Sequence, residues 1–346
     1  MRLIPNERPA RLGMIGLGDW GEQVALAAEP LPAVNIVTCY ARTPQTRSDF
    51  AQRFGCTPSS SYQEMLEDPS IDGILVVTPN SAHREQVVSA AAHGKHVLVD
   101  KPISSSIEDG AAMVRACDEA GVVLAVGHQT RREAPLVKLK ALLEAGDLGV
   151  PVMIEGNYPH GGGLQIKPGQ WRSSREECPG GPLIQIGIHL IDTLHYLLGP
   201  IVRVQSWQRR VLTKADFDDV TGTLLEFENG LLGYLGSNYA SSFSHWLKVY
   251  CTHQNAFYDQ LTGLTLTQDS WERGPVRELA ETGAEVTPPI LAVQEELTEF
   301  VQCMRTGNRP EVDGEQALRS VATVLAAVES AATGQPIVVD ELLRGD

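Results

Sequence analysis

Gly16-Leu17-Gly18-Asp19-Trp20-Gly21 forms a G-x-G-x-x-G hexapeptide near the start of a 346-residue chain. In such a loop the first glycine permits a tight turn and the second lets a pyrophosphate approach the backbone. The third allows a helix to pack closely on a strand. Amides at the helix N-terminus, here around Asp19 and Trp20, then favour the phosphates. Alone the hexapeptide describes any tight strand-to-helix turn, whereas inside a βαβ pattern it points to a dinucleotide. The fingerprint also calls for an acid about 20 residues further on, against the adenosine ribose. None is there. Ala41 takes that place, Arg42 and Thr43 follow, and Arg47 lies one helical turn beyond. A guanidinium pairs with a 2′-phosphate that an aspartate would repel, so NADP is favoured. The alternative is NAD, with Arg42 stacked flat on its adenine.

The elements that must hold this loop follow one rhythm over the first 128 residues. Short apolar runs at Arg11–Gly16, Asn35–Tyr40, Asp72–Val77 and His96–Val99 each lead into a helical pattern. Those helices fall at Trp20–Glu29, Gln45–Phe54, Ala82–His93 and Ile107–Ala120, and Val122–Val126 closes the series. Near-continuous apolar strands alternating with helices predict a doubly wound parallel sheet covered on both faces. After Gly127 the pattern changes. A helix over Pro135–Ala145, a strand over Pro151–Tyr158, an irregular segment to Pro179 and an apolar helix over Leu183–Leu198 precede repeated strand-like runs from Ile201 to Gln268. The turn Glu228-Asn229-Gly230 reads as a hairpin. An α/β domain with a large, mainly antiparallel open sheet is expected over 129–346, after a Rossmann domain over 1–128. Two terminal helices, Ala292–Arg305 and Glu315–Ala332, are free to pack back on the first domain.

Composition excludes several classes. The 28 Lys and Arg against 43 Asp and Glu leave a formal net charge of −15. Nucleic acid needs clustered cations and is excluded as the main partner. No apolar run approaches the roughly 18–20 residues of a membrane span, and Met1–Ala10 lacks the apolar region of a secretory signal. A cytoplasmic protein without a membrane partner is expected. Its six cysteines, Cys39, Cys56, Cys117, Cys178, Cys251 and Cys303, include no C-x-x-C pair and read mostly as buried or half-buried free thiols. The histidines show no ligand spacing, so no metal is expected.

Four further motifs are best read together. Thr78-Pro79-Asn80-Ser81-Ala82-His83 follows one strand, and Asp100-Lys101-Pro102 follows the next. Trp171-Arg172 lies in the irregular segment, and the stretch from Gly180 to Asp192 opens the apolar helix. With the glycine loop and a tail spanning Val312–Val338, the series resembles the Gfo/Idh/MocA family of nicotinamide-dependent oxidoreductases through nearly the whole chain. The resemblance implies that nicotinamide and substrate meet in a cleft between the two domains. It implies nicotinamide-ribose contacts from Thr78, Pro79, Asn80 and His83, and matches Asp100, Lys101 and Pro102 to a Glu-Lys-Pro motif. Trp171 and Arg172 match a pair that reaches the nicotinamide end. Gln185 and His189 match the catalytic Asp-x-x-x-His pair, with glutamine in place of the acid. It further implies a polyhydroxylated substrate, a sugar or cyclitol, and a homodimer or homotetramer through the C-terminal sheet.

Elementary chemistry supports part of this. Residues four apart share a helix face, so Gln185 and His189 can point the same way, and Gly187 between them would admit a ligand. A hydride leaving a carbinol carbon requires the hydroxyl proton to leave too, and an imidazole suits that near neutral pH. Lys101, at the C-terminal end of a parallel strand, can polarise the oxygen or stabilise an alkoxide. Gln185 carries no charge, so it can orient but not ionise. Three explanations remain open: Lys101 and His189 suffice, the substrate supplies a carboxylate, or catalysis is lost. Gln129, Arg131, Tyr158, His160 and Asp192 are substrate-contact candidates, although His160 can equally sit on an exposed loop and Arg131 can cap a surface. Asp192 can instead orient His189, and His195 reads as structural. Two other functions stay in play: a redox-assisted NAD-dependent glycosidase and a non-catalytic dinucleotide sensor.

Overall fold

The computed structural model describes residues 3, 8–268, 277–281 and 288–344. Most of the Met1–Ala10 stretch therefore lies outside the described residues. Contacts divide the chain into two compact units, 1–129 with 289–318 and 130–288 with 319–346.

The first unit contains β1 (Ala10–Ile15), α1 (Asp19–Ala28), β2 (Val34–Tyr40), α2 (Pro44–Phe54), β3 (Thr57–Pro58), α3 (Tyr62–Glu67) and β4 (Gly73–Val76). There follow α4 (His83–Ala92), β5 (His96–Asp100), α5 (Ile107–Ala120) and β6 (Leu124–Gly127). Its six strands lie in the order β3-β2-β1-β4-β5-β6, all parallel. The order reverses between β1 and β4, the switch point where open α/β sheets bind ligands. β4 is buried along its whole length, as a strand covered on both faces requires. The expected rhythm omitted β3 and α3. Only two residues long and carrying Pro58, β3 is an edge strand without the apolar run that marks a central one. The Rossmann core joins Leu12, Met14, Val24, Ala25, Cys39 and Leu75 to Val293, Leu297, Phe300 and Met304 of a late helix. This segment packs back from beyond residue 288, so the first unit is not contiguous in sequence.

The second unit holds α6 (Ala134–Ala145), β7 (Pro151–Pro159), α7 (Ile188–Leu198), β8 (Ile201–Arg209), β9 (Val220–Phe227) and β10 (Leu232–Asn238). It continues through β11 (Trp246–Cys251), β12 (Asn255–Asp259), β13 (Gly263–Gln268) and β14 (Arg277–Glu281). After α8 (Pro289–Thr306) of the first unit and α9 (Gly314–Thr333), which spans the division, come β15 (Ile337–Val338) and α10 (Val339–Arg344). The nine strands run β14-β13-β12-β11-β7-β10-β9-β8-β15. Among them only β7 and β10 pair in parallel. The β9–β10 hairpin turns at Asn229-Gly230, where Asn229 Oδ1 accepts from the Leu231 amide. One face of the sheet buries Ile154, Leu235, Leu247, Val249, Ala256 and Tyr258, and α6 and α7 pack on this sheet. Strand patterning missed β12, β14 and β15, which are short pieces of five, five and two residues at or near the sheet's ends.

Among the described residues no helix is long and apolar enough to cross a membrane. The six cysteines are all free thiols.

Candidate active site

In the first unit the three glycines of the loop have separable roles. Gly16 adopts φ +90°, and a Cβ there would lie 2.1 Å from the Val77 carbonyl oxygen. A Cβ on Gly21 would come within 2.2 Å of Gly16 O, so this glycine sets how closely α1 approaches β1. Around Gly18 a Cβ would meet nothing within 4 Å. That open space at the N-terminus of α1, with no side chain capping it, is the cradle a pyrophosphate would fill. Asp19 is exposed on the first turn. The residues therefore fit a dinucleotide. At the end of β2, Arg42 is exposed and Thr43 precedes α2 without making a side-chain cap. Arg47 is already engaged: it donates to Ser60 O at 3.0 Å and lies over the Tyr40 ring.

The strand ends carry the other expected cofactor contacts. Trp20 Nε1 donates to Asp100 Oδ1 at 3.0 Å, tying α1 to the end of β5. Burial pushes the Asp100 carboxyl above the ordinary range, against the opposing pull of Lys101, His83 and the Trp20 N–H. Lys101 and Pro102 directly follow this strand. Thr78 Oγ1 donates to Gln86 Oε1 at 2.6 Å. Beyond Pro79, buried Asn80 begins a short turn. His83 is fully buried, its ring nitrogens 2.9–3.2 Å from the carbonyls of Thr78, Pro102 and Ile103. It braces the Thr78 turn against the Lys101–Pro102 turn rather than facing a ribose, because the main chain occupies both nitrogens. Gln129, half-buried, has an Oε1 with no protein partner among the described residues.

In the second unit the predicted helix over Leu183–Leu198 begins as a π turn, Leu183–Gly187, before α7. Both Gln185 and His189 are buried. His189 Nδ1 shares a hydrogen bond with Thr130 Oγ1 at 3.2 Å, and its ring lies 6.2 Å from that of Tyr158. Gly187 does not admit a ligand, contrary to expectation: a Cβ there would lie 2.9 Å from Leu183 and 3.3 Å from Ser237. Its smallness lets the helix start seat on β10.

Arg131 and Asp192, expected at the substrate, bind each other. Arg131 Nε donates to Asp192 Oδ2 at 2.7 Å and Nη2 to Oδ1 at 2.6 Å, with both side chains at most 3% exposed. Such a bidentate pair pins the Gln129–Arg132 turn to α7. His160 Nδ1 accepts from the Gly162 amide at 2.8 Å, and its ring is 4.9 Å from Tyr239. Trp171 and Arg172 form an exposed turn, the guanidinium 4.8 Å over the indole. His195 is structural: its Nδ1 accepts from the Ile201 amide and Nε2 bonds Thr323 Oγ1. Burial drives it down to about 4.

A buried polar network beside this cluster gave no sequence signal. Tyr158 stacks on His245 with centroids 4.0 Å apart, and His245 packs edge-on against Tyr258. Tyr258 Oη and Gln260 Nε2 both donate to Glu133. Burial lifts the Glu133 carboxyl to about 7, opposed by those two bonds, and drives the His245 imidazole down to about 4. Glu133 and Tyr258 are 125 residues apart, and neither belongs to a motif. The only hint was a carboxylate next to Arg131 and Arg132. Among the described residues no group of three or more His, Cys, Asp or Glu could hold a metal.

A parallel sheet with strand order 3-2-1-4-5-6 and an open glycine loop at its switch point define a dinucleotide-binding protein. Residues 10–128 match an oxidoreductase family with an NAD-binding Rossmann fold, and 136–256 match the GFO/IDH/MocA C-terminal domain. The chain is 28% identical over 334 residues to 1,5-anhydro-D-fructose reductase of Ensifer adhaerens, spanning 94% of this chain and 97% of that one. It is 27% identical over 349 residues to scyllo-inositol 2-dehydrogenase (NAD(+)) of Bacillus subtilis strain 168, spanning 96% and 97%. A crystal structure of an oxidoreductase from Desulfitobacterium hafniense dcb-2 superposes with a TM-score of 0.90 at 32% identity, covering 97% and 99%. The chain belongs to the Gfo/Idh/MocA family of NAD(P)-dependent oxidoreductases.

Proposed function

We propose that the protein transfers a hydride between nicotinamide and a ring carbinol or ketone of a sugar, cyclitol or related polyhydroxylated molecule. The observation that carries this is the open cradle at Gly18, within a chain whose full-length relatives act on an anhydro-sugar and a cyclitol. Bound nicotinamide supplies the hydride acceptor or donor at C4. Lys101 holds the reacting oxygen and stabilises its developing negative charge. His189, fixed in orientation through Thr130, takes or returns the hydroxyl proton. The amides at Gly18–Trp20 would hold the cofactor's phosphates, and Pro79, Asn80, Trp171 and Arg172 would contact its nicotinamide end. Tyr158, His160 and Gln129 contact the substrate. Arg131 and Asp192 act through their mutual pair as positioning residues. NADP is favoured, since exposed Arg42 with neighbouring Ala41 and Thr43 suits a 2′-phosphate. Six free thiols fit a reducing, cytoplasmic compartment. The outer face of the nine-stranded sheet makes a homodimer or homotetramer contact.

A thermal-shift screen with NAD(H) and NADP(H), each alone and with a sugar and cyclitol panel, followed by turnover assays, tests this. NADPH should raise Tm most, and Arg42→Ala should remove that preference. Lys101→Ala should keep cofactor binding but lose about 10²-fold or more in kcat. Full turnover by Lys101→Ala would sink its assigned role.

A further inference from the structure

Gln185 lies in the π turn Leu183–Gly187, where the backbone is widened relative to an α-helix. Both ends of its amide meet fixed protein groups. Tyr239 Oη donates to Gln185 Oε1 at 2.7 Å, and Gln185 Nε2 donates to the Arg172 carbonyl at 3.4 Å. One side of the pocket thus presents a donor and the other an acceptor. A neutral amide, with its acceptor oxygen and donor nitrogen, matches both. An ionised carboxylate would satisfy Tyr239 but set its second oxygen against the carbonyl of Arg172.

The groups around the amide are held in turn. Tyr239 is buried, and its own amide donates to Asp219 O at 2.9 Å. Burial holds its phenol well above the ordinary range, so it remains a donor at any working pH. A Cβ on Gly163 would lie 2.2 Å from Tyr239 Cβ, so the neighbouring loop is shaped around this ring. On the other side, Arg172 belongs to the short turn Trp171–Ser173. The far end of that turn is anchored by the Asp216 amide, which donates to Ser173 O at 2.8 Å. Gln185 supplies a second anchor, at the residue whose guanidinium covers Trp171.

We propose that Gln185 is a positioning residue that ties the Trp171–Ser173 turn to the start of α7 through a Tyr239–Gln185–Arg172 hydrogen-bond chain, and takes no part in proton transfer. The consequence for turnover rests on the nicotinamide contact proposed above for Trp171 and Arg172. The chain of hydrogen bonds itself does not. Gln185 therefore sets how well cofactor is held, while Lys101 and His189 carry the chemistry.

Gln185→Asp, Gln185→Ala and Tyr239→Phe, with the Gln185→Ala/Tyr239→Phe double variant, test this in the full chain. Trypsin cleavage after Arg172 and Arg175, measured without cofactor or substrate, reports the turn directly. Each single variant should speed that cleavage about 3- to 10-fold, the scale of one lost hydrogen bond. The double variant should be no faster than Gln185→Ala, because both residues serve one chain. In turnover, KM for cofactor should rise by a similar factor while kcat changes less than about 3-fold. Unchanged cleavage in both Gln185→Ala and Tyr239→Phe would overturn the proposal. So would a kcat loss of about 10²-fold at unchanged KM in Gln185→Ala, or a rise in kcat in Gln185→Asp. If Gln185→Ala fails to fold, Tyr239→Phe carries the cleavage test alone. Absence of turnover in the unmodified protein would count against the proposed reaction and leave the cleavage result standing.

Discussion

At the residue scale the glycine loop separates steric need from ligand need. Gly16 is locked by a positive φ and by the Val77 carbonyl, whereas Gly18 faces open space. Gly16→Ala should destabilise the fold by about 1–3 kcal/mol from backbone strain alone, with the clash adding to it. Gly18→Ala should leave Tm of the cofactor-free protein unchanged and weaken dinucleotide binding. Equal loss of Tm in both variants would contradict this division. The three glycine roles were legible because each is a backbone requirement carried by a short local stretch. The partners of Trp20, His83, Arg131 and Asp192 were not, since each side chain bonds a group far away in sequence. His83 and Asp100 carry the same motif letters whether a cofactor or the main chain takes their hydrogen bonds.

At the element scale, α7 is held by charge as well as by apolar packing. The buried Arg131–Asp192 pair joins it to the Gln129–Arg132 turn. Asp192→Asn leaves a buried guanidinium without its counter-charge and should cost about 3–5 kcal/mol. Replacing both residues with apolar ones should cost clearly less, as urea unfolding would show. Glu133, beside α6, gives a pH signature. Its ordinary value is near 4.5 and its folded value about 7, so the folded state binds the proton more tightly. Its contribution of about 3 kcal/mol is thus present below about pH 4.5 and lost as pH climbs to about 7. Tyr258 and Gln260 bond this carboxyl and Tyr158 lies within its field, and among the described residues no cation offsets the effect of burial. Glu133→Gln should gain Tm relative to the unmodified protein as pH is raised from 5 to 8. A pH-independent difference would mean that Glu133 titrates normally. The rhythm of strand and helix made most central elements readable, because buried parallel strands are continuously apolar. Edge pieces such as β3 and β15 escaped, being too short to show any period.

At the scale of the whole molecule, one face of the nine-stranded sheet carries exposed apolar side chains among the described residues. Trp207, Leu224, Leu232, Tyr234 and Met153 are 37–59% exposed there. The register sets Leu224 opposite Tyr234 and Leu232 opposite Met153, so the apolar patch is continuous across neighbouring strands. A patch of that kind on a globular chain calls for a partner. Trp207→Glu with Leu224→Glu should abolish the self-association proposed above in light scattering while leaving the far-ultraviolet dichroism unchanged. An unmodified chain that is already monomeric would refute the contact. The amino-acid sequence by itself determined the alternation of strand and helix in the Rossmann unit, the glycine loop, the hairpin at Asn229-Gly230 and the ordered motif series. These rest on local backbone geometry and on periodic burial, both written in neighbouring residues. Tertiary structure alone decided that α8 completes the first unit's core, that Gly187 serves packing, and that Glu133, Tyr258 and His245 back Tyr158. It also decided that Gln185 is gripped between Tyr239 and Arg172. Those outcomes depend on which distant side chains share a buried space, and a polar atom's partner there is set by proximity in the fold rather than along the chain.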